Sequence, residues 1–239
     1  MAGWREIKES SGSNGNAQAP TSASVGASAT PMQKWGGFAS FLMVIAFIVP
    51  PWIYLTGNLR DATGPWVYAL ADFLYGPVWA AGLVTAVFAL RERIGDHAPR
   101  RMSIALLAAL LAAGAMVGVA SIRSANRAYL LMHPELADNL STTLLTAWGT
   151  IVDGVIATGW HFLGWALVLI GSAGWESRSF PRVLSTLYLV AGAAGLLVYL
   201  LPVMQGSVVV LGVLVTVWQA TLLWRAESEE PLVPEIPPA

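Results

Sequence analysis

The chain has 239 residues, 56% hydrophobic and only 11% charged, whereas a soluble domain carries about 25% charged residues. The formal net charge of −1 argues against nucleic acid as the main partner, since the phosphate backbone calls for a strongly basic surface. The absence of cysteine excludes disulfides, thiolate metal sites and cysteine nucleophiles. The apolar residues gather in runs of about 20, the length that crosses ~30 Å of hydrocarbon. The expected fold is therefore all-α and polytopic, with six transmembrane helices bundled in a lipid bilayer.

Residues 1–34 are rich in Ser, Ala, Gly, Asn and Thr, a composition that cannot bury enough apolar surface to order itself. A disordered tail is expected there, followed by a transmembrane domain over 35–225 and an acidic, Pro-rich disordered tail over 226–239. The first span runs from Gly36 to Thr56, and Pro50-Pro51 should kink or break it, because two backbone donors are missing. A second span, Trp66 to Leu90, carries Asp72 near its start and Gly76-Pro77 at mid-depth. The third begins near Met102, is dense in Ala, contains the pair Gly114 and Gly118, and continues through Arg123 and Arg127 until His133-Pro134 stops it. Leu144 to about Gly174 forms the fourth span, Arg182 to Leu201 the fifth and Val208 to Trp224 the sixth.

With both termini on one face, that face collects Arg5, Lys8, Lys34, Arg91, Arg93, Arg100, Arg101, Arg178, Arg182 and Arg225 out of 13 basic residues. Arg60, Arg123 and Arg127 remain opposite. This asymmetry predicts cytoplasmic N and C termini by the positive-inside rule. Within the six spans, Trp66, Asp72 and Pro99-Arg100 recur as Trp148, Asp153 and Pro181-Arg182, with the same Trp-to-Pro separation. Whether or not this marks a duplication, it places the two carboxylates at similar depth below the outer face.

Asp72 and Asp153 are the sharpest candidates for a binding site, since an ionised carboxylate within hydrocarbon costs about 2.5–3.5 kcal/mol on insertion scales. Arg123, and with it Arg127, are the cations at matching depth, so an Asp72–Arg123–Asp153 cluster is expected in the outer half. Its two readings are the floor of an outward-facing polar cavity, or an ion-pair network that fixes helix register. His161 lies about 80° round the helix from Asp153 and ~12 Å deeper. It is read as a hydrogen-bonded core histidine or as an inner proton-relay neighbour. Trp160, beside Gly159 and Gly164, lines either a close helix contact or a cavity. Trp79 sits at mid-depth beside Gly76-Pro77, where it is placed to line a pocket.

Haem ligation lacks a second intramembrane histidine, and metal binding lacks clustered ligands. No HExxH, GxSxG, P-loop or GxGxxG pattern occurs. No catalytic residue, metal or cofactor is therefore assigned, and enzyme activity ranks below the other readings.

From Trp160-His161-Phe162-Leu163-Gly164-Trp165 through Gly171 to Pro181-Arg182, the chain resembles a family of bacterial six-span integral membrane proteins classed only as a domain of unknown function. The resemblance implies a six-helix bundle in a bacterial inner membrane and brings no activity. The expected function is a small transporter-like or ligand-sensing module acting on a small polar ligand or proton. The alternative is a non-catalytic structural or accessory subunit that binds partner membrane helices or forms a homo-oligomer.

Overall fold

The computed structural model describes residues 30–56, 64–133 and 142–225. Of the expected N-terminal tail over 1–34, residues 1–29 lie outside the described residues, while 31–34 are the first turn of a helix; the expected C-terminal tail over 226–239 and residues 57–63 and 134–141 also lie outside them. Within them the chain is helical with no strand. The elements are α1 (Pro31–Thr56), α2 (Gly64–Phe73), a π-helical turn (Leu74–Val78), α3 (Trp79–Ile94), α4 (Pro99–Met132), α5 (Thr142–Ser177), α6 (Arg182–Leu197) and α7 (Met204–Arg225). The second span thus comprises α2, the π turn and α3. Five of the six spans are long and apolar enough to cross a membrane, while α6 is a shorter apolar helix.

The spans stand in a ring in chain order, each packed on its neighbours in sequence, and α7 closes the ring on α1. Both described ends of the chain lie at one end of this bundle, because Gly36 packs against Ala89 and Leu223. We call that the terminal end and the opposite one the loop end.

The residues sort by size rather than polarity. Ala105, Ala108, Ala109, Ala112 and Ala113 of α4 are buried, while Ile104, Leu107, Leu110 and Leu111 of the same helix are exposed. Large apolar side chains facing outward along whole helices exceed what water tolerates on a soluble monomer. Small residues facing inward let backbones approach, as membrane helices require when no hydrophobic force drives them together. The chain is accordingly an integral, multi-pass membrane protein whose outward faces meet lipid.

The Gly114 and Gly118 pair does not make the close contact on α4, and the Pro50-Pro51 pair does not break its helix. The Gly114 and Gly118 pair points outward, with nothing within 4 Å of a Cβ at either position, so it is the Ala face of α4 that makes the inward contact. Helix α1 runs on as an α-helix through Pro50 and Pro51 to Thr56. Each proline removes one bond of the ladder, to the Ala46 and Phe47 carbonyls respectively, and the helix continues without them to Thr56.

The closest crossing joins α5 and α6. A Cβ on Gly164 would lie 2.7 Å from the Leu196 nitrogen and 2.8 Å from the Gly192 oxygen, and one on Gly195 would lie 2.8 Å from the Trp160 oxygen. Gly171 meets Tyr188 and Ser185 in the same way. Gly164 and Gly171 of the fourth span therefore serve close contact, not an open pocket.

Candidate functional site

Helices α4 and α5, with 34 and 36 residues, are far longer than the ~20 residues that hydrocarbon requires. Counted from the terminal end, Asp72, Arg123 and Asp153 all lie roughly 33–36 Å up their helices at 1.5 Å per residue. The similar level of the two carboxylates stands, at a distance from the terminal end slightly greater than the ~30 Å of a hydrocarbon core.

At this level the side chains form one cluster and one outlier. Asp72 is 1% exposed, accepts a hydrogen bond from the Tyr54 hydroxyl and pairs with the Arg127 guanidinium. Arg127 also donates to the Pro65 carbonyl at 3.4 Å. Arg123, one turn below, places its guanidinium 5.0 Å from the Tyr54 ring centroid and 5.9 Å from that of Tyr75. The cluster therefore ties α1, α2, the π turn and α4 together.

Arg127 rather than Arg123 takes the carboxylate because helical side chains lean toward the N-terminus. From the higher turn of α4, Arg127 reaches down onto Asp72, while Arg123 is held by the two tyrosine faces. The π turn contributes the aim of Asp72. One extra residue in a helical turn rotates everything before it by about 100°, and Pro77 removes a donor inside that turn. The Trp79 amide answers by donating to the Gly76 and Leu74 carbonyls.

Asp153 does not join this cluster. Its side chain is exposed, and Gly154 beside it has nothing within 4 Å of a Cβ position. The reason is helix length: α6 ends at Leu197, so the loop-end part of α5 rises beyond its neighbour. The expected Asp72–Arg123–Asp153 grouping is replaced by Tyr54–Asp72–Arg127, with Arg123 alongside.

His161 is half-buried and lies deeper, on the α5–α6 contact. Trp165 Nε1 donates to His161 Nε2 at 3.2 Å, so the ring proton sits on Nδ1, which faces the Leu196 carbonyl at 3.4 Å. Nearby amides of the following turn bond elsewhere: Val198 to Gly195 and both Leu200 and Leu201 to Leu197. Leu196 is thus one of the carbonyls a helix end leaves over, and His161 satisfies it. Tyr199 packs 4.9 Å from the imidazole, and its hydroxyl lies 2.7 Å from Thr158 Oγ1. These contacts match the reading of a hydrogen-bonded histidine.

Trp79 and Trp160, each 2% exposed, fill the middle of the ring with Phe47 at mutual centroid distances of 5.9–6.1 Å. The Trp79 indole N–H has no hydrogen-bond partner among the described residues. Below this plug lies a small void of about 20 Å³ lined by Phe47, Leu163, Tyr188, Thr216 and Gln219 among others, room for about one water molecule. A larger open cleft of about 360 Å³ lies outside the ring at the loop end, between Pro65, Trp66 and Ala69 of α2 and Ser124, Arg127 and Leu131 of α4.

A second buried polar chain was not singled out from the sequence. Gln219 donates to Ser40 Oγ at 3.0 Å and accepts from the Tyr188 hydroxyl, while Ser40 donates to the Gly36 carbonyl at 2.7 Å. Gln219 and Tyr188 each lie about two turns in from Arg225 and Arg182 at ~3.6 residues per turn, and this matched depth was a usable signal. Tyr54 was likewise not singled out from the sequence, although its place near the end of the first span and that of Asp72 near the start of the second already set the two at a similar level. Among the described residues no three His, Asp or Glu side chains come together as a metal site. No family model, curated protein or solved structure matches the chain.

Proposed function

We propose that this chain is a non-catalytic structural or accessory subunit of a bacterial inner membrane, with both termini cytoplasmic, that offers its outward helix faces to partner membrane helices or to a second copy of itself. The observation that most supports this reading is the way the ring is filled. Phe47, Trp79 and Trp160 occupy its middle, about 20 Å³ remains beneath them, and Asp72 is satisfied by Tyr54 and Arg127. Charge supports the orientation, since Arg91, Arg93, Arg100, Arg101, Arg178 and Arg182 all stand at the terminal end.

The absence of cysteine allows a direct test. Gly114→Cys or Gly118→Cys, labelled with a photo-crosslinker in native membranes, is expected to capture a discrete protein adduct from the open face of α4. Exclusive labelling of lipid, together with proton or solute flux in proteoliposomes that Asp72→Asn abolishes, would overturn the proposal in favour of transport.

A ligand-sensing reading rests on the 360 Å³ cleft, because Arg127 is both one of its walls and the partner of Asp72. An anionic amphiphile entering there competes with Asp72 for the guanidinium. Binding of such a ligand by the wild type but not by Arg127→Gln would support it.

A further inference from the structure

The turn between α5 and α6, at the terminal end, contains the clearest charged recess outside the site above. Trp175, Glu176, Arg178, Phe180 and Arg182 line a cleft of about 380 Å³. Its one carboxylate is already taken, since Glu176 pairs with Arg101 of α4. Arg178 and Arg182 are exposed and have no carboxylate partner among the described residues. The recess is therefore cationic, with two guanidiniums a few residues apart.

Arg178 is also the one non-glycine residue with positive φ among the described residues, at 55°. It follows the last residue of α5, the position where helices commonly end on glycine in the left-handed conformation. An arginine there accepts a conformation that its Cβ disfavours. A basic residue at a helix C-terminus complements the helix dipole, but glycine alone would close this helix without strain, and the dipole explains neither Arg182 nor the recess.

The frame around the two arginines is packed against the helices. Phe180 is buried and stacks on Tyr188 at 5.8 Å, its ring blocks the space beside Gly174, and the Ser179 amide donates to Ser177 Oγ at 3.3 Å. Beside the recess, Trp175 and Val183 are 50% and 60% exposed, an apolar flank at the level where the helices leave the hydrocarbon.

We propose that this turn binds the phosphate of an anionic phospholipid headgroup, clamped by the Arg178 and Arg182 guanidiniums, with Trp175 and Val183 against the glycerol and upper acyl chain. Guanidinium matches phosphate in a bidentate fashion, and tryptophan favours the membrane–water boundary. A free phosphate shares the charge chemistry but makes no use of the apolar flank.

The full chain in detergent, titrated with phosphatidylglycerol or phosphatidylcholine and read by native mass spectrometry, tests this. Wild type is expected to retain phosphatidylglycerol about tenfold more tightly, a difference of ~1.4 kcal/mol. Arg178→Gly should remove most of that preference while melting no lower than wild type, because glycine takes the left-handed conformation freely. Arg182→Gln, which leaves the turn unaltered, should lose the preference to a similar extent. Full preference in both variants, or none in wild type, overturns the proposal. Displacement of phosphatidylglycerol by inorganic phosphate at equal concentration would assign the recess to free phosphate and overturn the lipid assignment.

Discussion

Removing one partner of the Asp72–Arg127 pair leaves the other with little access to water. Arg127→Met is therefore expected to lower stability by about 3–5 kcal/mol, and Asp72→Asn with Arg127→Met together by less than the sum. Thermal unfolding in detergent measures both, and equal, small losses in all variants would remove the pair as a lock. Ser185 presents the opposite case. Its hydroxyl is fully buried without a hydrogen-bond partner among the described residues, so Ser185→Ala should stabilise the bundle, by roughly 1 kcal/mol. His161→Ala frees the Leu196 carbonyl and is expected to speed amide hydrogen exchange in the turn after α6, leaving the Asp72 cluster unaffected.

Between elements, the decisive variable is how closely two backbones approach. Gly192→Ala would place a Cβ 2.8 Å from both the Gly164 oxygen and the Val168 nitrogen, so α5 and α6 must separate. A loss of several kcal/mol, of the order found for overpacked cores (~1–3 kcal/mol or more), is expected. Gly114→Ala meets open space and gains helix propensity, so it should be neutral or stabilising by up to about 1 kcal/mol. Comparable destabilisation by the two substitutions would contradict the assignment of faces. The π turn belongs to the same scale: without its extra residue, Asp72 would rotate away from Tyr54 and Arg127.

For the whole molecule, the level of each residue along the bundle decides which phase it meets. Asp153→Cys should react with a membrane-impermeant maleimide from the outer side and Arg100→Cys only from the cytoplasmic side. Reaction of both from one side would refute the proposed topology, and silence at Asp153→Cys would place that carboxylate within the hydrocarbon. The same reasoning explains why the two aspartates, matched in level, differ in environment. Asp72 lies where α1, α2 and α4 converge, whereas Asp153 rises above the short α6.

The sequence by itself determined the class of fold, the six spans and the shared level of Asp72 and Asp153, because helical rise converts residue counts directly into height along the bundle. It also exposed the terminal-end basic bias and the continuation of α4 to His133. Only the tertiary structure decided which face each residue occupies, since helices that are apolar all round carry no polar stripe to orient them. Thus Gly114 and Gly118 turned outward while Gly164, Gly192 and Gly195 turned inward, and Arg127 took the partner expected for Arg123. Asp153, read as half of a site, stands in the open because a neighbouring helix is short, and a length mismatch between elements becomes an exposure only once they are packed side by side.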